Sequence, residues 1–338
     1  MPDVELAQDA MAHRTTPQSG DPATRAFAGR LGGNQEFVLD PKNLHDIPIL
    51  QRVPDASPFI SVREIFNLRG FLEPELWKAA VTEGVGTILL TWITVLIAAH
   101  PSGPPPTPSP TSGIFSTPMF LGPLVGGITN MIILPLFIYC LGPVSGGHLN
   151  PLITISTFTA RLTTFPRMVL YVLFQTSGGL IGGLILRSSL GTRAFQTGGC
   201  SIDTALVPIG DIFLLEFTAS FTLLFLAFGV GLDPRQKGTF GPALGPFLVG
   251  VALGALSFGT SISRPGYQGA SMNPARCTGA FLASSFPSYG WVVWVGPVAA
   301  AVVHGALYWA LPPWSYPPIE PGASLGSAST TNTGIGGV

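Results

Sequence analysis

The sequence predicts an all-α membrane protein with six transmembrane helices and two re-entrant half-helices in an inverted repeat. Three observations carry this. Six apolar segments are long enough to cross a bilayer, which takes about 20 residues. Two shorter apolar segments each begin with Asn-Pro. The order of elements in the first half of the chain returns in the second.

Composition sets the frame. Mean hydropathy is +0.47. Only 10% of the 338 residues are charged, against about 25% in ordinary soluble domains. Residues 1–75 hold 11 of the 17 acidic and 7 of the 16 basic residues. That distribution reads as a polar tail on an apolar body. A net charge of −1 gives no footprint for nucleic acid. No Ser/His/Asp cluster, phosphate loop or metal-ligand spacing is present, so no catalytic residue, cofactor or metal is expected. The cysteines Cys140, Cys200 and Cys277 are scattered, and Cys140 and Cys277 lie in or beside apolar runs. A disulfide framework is therefore not expected. No secretory leader is read, so the first apolar segment is expected to direct insertion.

Residues 1–75 lack sustained apolar periodicity and read as a mostly disordered tail, with a short amphipathic helix near Val62–Phe71. Residues 1–60 are expected to be dispensable for folding. The membrane body is expected at 76–312 and a flexible Gly/Ser/Thr-rich tail at 313–338. The spans are expected near Ala79–Ala99, Leu121–Leu141, Met168–Leu186, Ile212–Val230, Pro242–Ser261 and Trp291–Leu311. Pro101–Gly113 reads as an extended link between the first two. Gly178, Gly179, Gly182 and Gly183 suit close helix packing in the third span.

Pro151–Ala160 and Pro274–Ser285 are too short to span and read as re-entrant. Backbone that stops partway through a membrane must be buried in protein or line a water-filled cavity. Both segments open alike: Gly146-Gly147-His148-Leu149-Asn150-Pro151 and Gly269-Ala270-Ser271-Met272-Asn273-Pro274. The two asparagines are 123 positions apart, and the acidic residues Glu83 and Glu216, each inside an apolar run, are 133 apart. Each half contains three spans, an odd number, so the halves must be inverted relative to one another. Proline suits the first helical position, and asparagine before it is a good cap. Inversion would bring the two half-helix N-termini together at the midplane. Each such end carries roughly half a positive charge. An Arg inside a membrane is costly, which marks Arg276 as functional.

On these motifs the chain resembles the aquaporin, or major intrinsic protein, family over about residues 77–312. Gly290-Trp291-Val292-Val293-Trp294-Val295-Gly296-Pro297 is similar to that family's sixth helix. Within it, Asn273-Pro274-Ala275-Arg276-Cys277 and the altered first box Asn150-Pro151-Leu152 resemble the aquaglyceroporin-like X intrinsic proteins of fungi and some plants. The approach Ser261-Ile262-Ser263 with Gly266-Tyr267 fits them as well. The resemblance implies an aquaporin-like fold, a homotetramer with one pore per subunit, and both termini cytoplasmic. It implies a channel for glycerol and small polyols, urea, boric acid or hydrogen peroxide, with some water. A plasma membrane location is expected, with an internal membrane as the alternative. Charge alone gives a weak inside bias, Arg161, Arg167, Arg235 and Lys237 against Arg187, Arg193 and Arg264.

The resemblance also implies roles. Asn150, Leu152, Asn273 and Ala275 are expected to line the pore, with Leu152 narrowing it. Counting from the two boxes gives Asn130, Ser261, Ala270 and Arg276 as the outer filter, with Thr260 or Ser257 as alternatives to Ser261. Glu83 and Glu216 are expected to accept from the box backbones, and Pro151 and Pro274 to start the half-helices. His148 is expected to order its loop. Cys277 is expected to be a small packing residue, with redox or mercurial sensitivity as the alternative. Two rival functions stay open, a water-selective pore and a non-conducting scaffold or osmosensor. A secondary transporter would need coupling-ion ligands beyond the two glutamates.

Overall fold

The structure, a computed structural model, describes residues 27–32, 39, 44, 47–58, 60–101, 118–234, 236 and 239–311. Two short helices come first, α1 (Ile47–Arg52) and α2 (Val62–Ile65). The first half of the body is α3 (Pro74–Ala98), α4 (Pro118–Ser145), the half-helix α5 (Pro151–Thr159) and α6 (Phe165–Leu190). The second half is α7 (Ile209–Ala227), extended by a π-helical turn at Phe228–Leu232, then α8 (Gly241–Ser261), the half-helix α9 (Pro274–Ala283) and α10 (Val292–Ala310). All six full-length helices are long and apolar enough to cross a membrane. The shortest has 19 residues, or about 29 Å at 1.5 Å per residue, which matches a hydrocarbon core of roughly 30 Å.

Packing repeats between the halves. Helix α3 packs on α6, as α7 packs on α10. Half-helix α5 packs on α10, as α9 packs on α6. Helices α4 and α8, the second of each half, pack on each other. This exchange of equivalent contacts is what an inverted repeat requires. The glycines of α6 make it possible. A Cβ on Gly178 or Gly182 would strike the α3 backbone at Gly84 and Ile88, and one on Gly179 or Gly183 would strike α9 at Ala275 and Gly279.

Two boundaries move for physical reasons. The first span starts at Pro74 rather than near Ala79, because Pro74 sits at the first helical position and the polar turn Glu75–Lys78 is helical though not apolar. The second runs on to Ser145 through Pro123, Pro135 and Pro143. Residues 102–113 of the Pro101–Gly113 link and the tail 313–338 lie outside the described residues, and Pro101 itself ends a short strand β1 (Ala99–Pro101). It pairs antiparallel with β2 (Phe195–Thr197), aligning His100 with Gln196.

The tail over 1–75 is expected to be mostly disordered, but its described residues pack against the body. Phe27, Arg30, Leu31, Val53, Asp55 and Ala56 are buried. Asp55 forms a two-pronged pair with Arg167, Nε to Oδ2 at 2.7 Å and Nη2 to Oδ1 at 3.1 Å. It also accepts from the Thr164 amide and hydroxyl. Removing one partner of such a pair leaves an uncompensated buried charge. A few anchoring side chains, rather than a periodic apolar face, hold this segment, so composition did not reveal it. The helix read near Val62–Phe71 is present as α2 and a 3₁₀ turn at Leu68–Leu72.

Candidate pore and its filter

The two boxes fold alike. Asn150 and Asn273 cap α5 and α9, each with an extended backbone, and Pro151 and Pro274 take the first helical positions. The Asn150 carboxamide oxygen accepts from the Leu152 amide, and that of Asn273 from the Arg276 amide. The residue before each asparagine is held in the left-handed region, Leu149 at φ 52° and Met272 at φ 46°. Such a conformation costs of order 1–3 kcal/mol for a non-glycine residue. The two boxes also hold each other. The Asn150 amide donates to Met272 O at 2.7 Å, and the Asn273 amide donates to Leu149 O at 3.0 Å. The half-helix N-termini therefore meet, and each –NH₂ group keeps a second N–H.

Buried carboxylates frame the boxes. Glu83 accepts from the His148 and Leu149 amides, the Ser145 hydroxyl and the Gln175 amide. Glu216 accepts from the Ser271 amide and hydroxyl and from the Tyr267 hydroxyl. Both glutamates are completely buried. His148 bridges Thr154 Oγ1 at 3.0 Å and Gly29 O at 2.6 Å. A carbonyl only accepts, so Nε2 carries the proton.

A cavity of about 1040 Å³ runs past both boxes. Asn150, Asn273, Asn130, Ser261, Ala270 and Arg276 all line it. The Asn130 amide donates to Ser257 Oγ, the Ser261 hydroxyl reaches Ser257 O and Gln268 O, and the Ala270 amide donates to Thr260 Oγ1. Ser257 and Ser261 therefore both border the cavity, while Thr260 holds the box backbone. Arg276 donates through Nε to Thr94 Oγ1 at 3.2 Å and through Nη2 to Gly198 O at 3.0 Å. A Cβ on Gly199, where φ is 79°, would lie 3.1 Å from Arg276 Nη1 and 3.3 Å from Ala270 O. The loop at Gly198–Cys200 thus closes against the arginine.

Three expectations need correction. Leu152 and Ala275 are fully buried and do not line the cavity. Leu152 belongs to the apolar core with Leu224 and Ala301, and the Ala275 backbone lies against Gly179 of α6. The second residue of each half-helix faces the neighbouring helices; the residue after it, Ile153 or Arg276, faces the cavity. Leu152 therefore does not narrow the pore. Thirdly, Cys277 is bonded to Cys200 in a disulfide, not present as a free thiol. The partners are 77 residues apart, and spacing alone cannot pair cysteines. Thr94, Gly198 and Gln175 also escaped the sequence reading, because each acts through a tertiary contact. Cys200 carried the only usable signal, a second cysteine outside the spans.

At the end of the cavity away from Arg276 the lining includes Leu31. Residues 27–32 are buried there. Arg30 donates to Gly142 O and Pro143 O in the last turn of α4. Loss of water lowers its pKa to about 10, so it is cationic at neutral pH and suits a helix C-terminus.

The comparisons agree with this geometry. The family model described as major intrinsic protein matches residues 71–308. The chain is 33% identical over 168 residues to probable aquaporin TIP4-1 of Oryza sativa subsp. japonica, covering 50% of this chain and 63% of that one. It is 28% identical over 269 residues to aquaporin PIP1-6 of Zea mays, covering 77% and 84%. It is 30% identical over 242 residues to aquaporin-4 of Mus musculus, covering 71% and 69%. The fold resembles the X-ray structure of the aquaglyceroporin from Plasmodium falciparum, with a TM-score of 0.53 and 18% identity over 70% of this chain and 96% of that one. With six membrane-length helices and two Asn-Pro half-helices among the described residues, and a family match over residues 71–308, the chain belongs to the major intrinsic protein family.

Proposed function

We propose that the chain is a passive channel, not an enzyme, for small uncharged solutes: glycerol and small polyols, urea, hydrogen peroxide, boric acid and water. One observation carries the reading: the Asn150 and Asn273 amides and Arg276 converge on one cavity where two half-helix N-termini meet. A solute crossing a constriction sheds water and needs replacement partners. The free N–H of each asparagine and the guanidinium supply donors, and the Ser261 and Asn130 oxygens supply acceptors. The two helix ends and the arginine repel cations and protons, as is generally held for aquaporin-type pores.

Asn130, Ser261, Ala270 and Arg276 form the outer filter in this reading. None is aromatic, which favours a solute wider than water, in keeping with the resemblance to X intrinsic proteins carried by residues 273–277. The subunit works as a homotetramer in the plasma membrane with both termini cytoplasmic. The exposed apolar residues Ile128, Ile132 and Leu136 on α4, outside the cavity lining, suit lipid or a neighbouring subunit.

The test is stopped-flow permeability of proteoliposomes holding the full chain or its Leu31→Ala variant. Glycerol, urea, peroxide and water are measured one at a time. Flux above that of protein-free vesicles, linear in the gradient, is expected for glycerol and urea. Saturating or ion-coupled flux would identify a transporter, and water flux alone a water-selective pore. No flux in either form, with both inserted and monodisperse, would identify a scaffold or osmosensor.

A further inference from the structure

The structure assigns a second role to the inner end of the cavity: it is a receptor site for a peptide, and the chain's own Phe27–Gly32 is the ligand that occupies and closes it. Closure as a function rests on the channel reading; the seating of the peptide does not. All six residues are buried. They sit on the loop that leads into the first Asn-Pro box. The Leu31 and Gly32 amides both donate to Gly146 O, at 3.0 and 2.9 Å, and Gly29 O accepts from His148 Nε2. The Ala28 amide donates to Asp55 O. These bonds use backbone groups, so they fix the register of the segment without a side-chain code.

Two side chains give the site its selectivity. Phe27 lies under the Arg167 guanidinium, 4.1 Å from ring centroid to Cζ, and edge-on to His148 and Tyr171. Leu31 reaches the cavity itself and lies in an apolar core with Ile138, Leu223 and Val249. Arg30 neutralises the carbonyl end of α4. The ligand is thus a peptide of the form Phe-x-Gly-Arg-Leu-Gly. Both glycines are required by space. A Cβ on Gly29 would lie 2.8 Å from Thr163 Oγ1, and one on Gly32 would lie 2.5 Å from Ile138 Cγ2 and 2.7 Å from Ile138 O.

Such a segment is able to leave. Burying two large apolar side chains and ordering six residues are opposing contributions of similar size. The groups it would expose are the carbonyls of Asp55, Gly142, Pro143 and Gly146, the His148 imidazole and the Arg167 guanidinium, which water can satisfy. With the segment seated, Leu31 blocks the route from Asn150 to the inner face. With it withdrawn, His148 and the Gly146 carbonyl become available to a passing solute.

Full-length Gly32→Val tests this, because the added side chain meets Ile138 while no residue of the body changes. Leu31→Ala serves as a second variant that only removes atoms. The pair Gly32→Cys and Ile138→Cys, in a Cys140→Ser background, locks the segment in place. Water and glycerol fluxes are measured in proteoliposomes, with the parent exposed to the same oxidant and reductant to account for Cys200–Cys277. The expected result is a rise of about tenfold for Gly32→Val, in proportion to the open fraction, and a smaller rise for Leu31→Ala. The locked pair should be silent until reduced. A conducting parent whose flux neither variant raises, with a locked form that conducts as well as the parent, overturns the plug and leaves the channel reading standing. A lock that forms while every form stays silent overturns the channel reading, and closure with it, leaving only the seated peptide.

Discussion

Ala270→Phe is expected to bring glycerol flux down to the level of protein-free vesicles while part of any water flux survives. Ala270 lines the cavity and is held in place by its amide, which donates to Thr260 Oγ1 at 3.0 Å. Its carbonyl lies beside Gly199, in the same corner as the Arg276 guanidinium. A phenyl ring there fills the space between the arginine and α8. A polyol needs that width and several hydrogen-bond partners at once, whereas water needs fewer. Forcing a polar solute to pass without a partner costs roughly 2–3 kcal/mol, which is about two orders of magnitude in rate. Paired water and glycerol stopped-flow at equal protein content reads the result. Intact glycerol flux would mean that Ala270 is not at the constriction.

Glu83→Leu is expected to abolish folding rather than tune flux. The carboxylate is completely buried and accepts from four groups, two of them backbone amides of the first box. Leucine leaves those amides with no acceptor. Each orphaned donor costs about 1–3 kcal/mol, and ordinary domains have only about 5–15 kcal/mol in total. Glu83→Gln keeps one oxygen and should recover part of the yield. The measurement is the monodisperse fraction in detergent and its thermal midpoint. Wild-type yield and midpoint for Glu83→Leu would show that the box is held by other contacts.

Much of this was legible in the sequence because membranes leave few solutions. The spans announced themselves by length and apolarity, and Asn150, Asn273, Glu83, Glu216 and Arg276 by being polar where polarity is costly. The inverted pairing followed from an odd number of spans per half. What escaped depended on direction or on long-range contact. Leu152 and Ile153 are neighbours in sequence, yet only the second borders the cavity, and the start point of α5 decides which. Cys200 meets Cys277 because β1 and β2 draw the loop between α6 and α7 over the arginine. Phe27–Gly32 binds through backbone groups and two anchors, so it lacks the periodicity that marks a packed helix or strand.

The central claim is that the barrier to ions lies where the two half-helix ends meet, and Asn273→Asp tests it most directly. The substitution keeps an oxygen to cap the Arg276 amide but loses the donor to Leu149 O. It also sets a carboxylate between two positive helix ends, cancelling part of their field. Glycerol flux and potassium leak are measured together in vesicles carrying the full chain with Gly32→Val, with and without Asn273→Asp. The account predicts lower glycerol flux and a new potassium leak in a protein that remains folded. Unchanged glycerol flux with unchanged ion exclusion would contradict it.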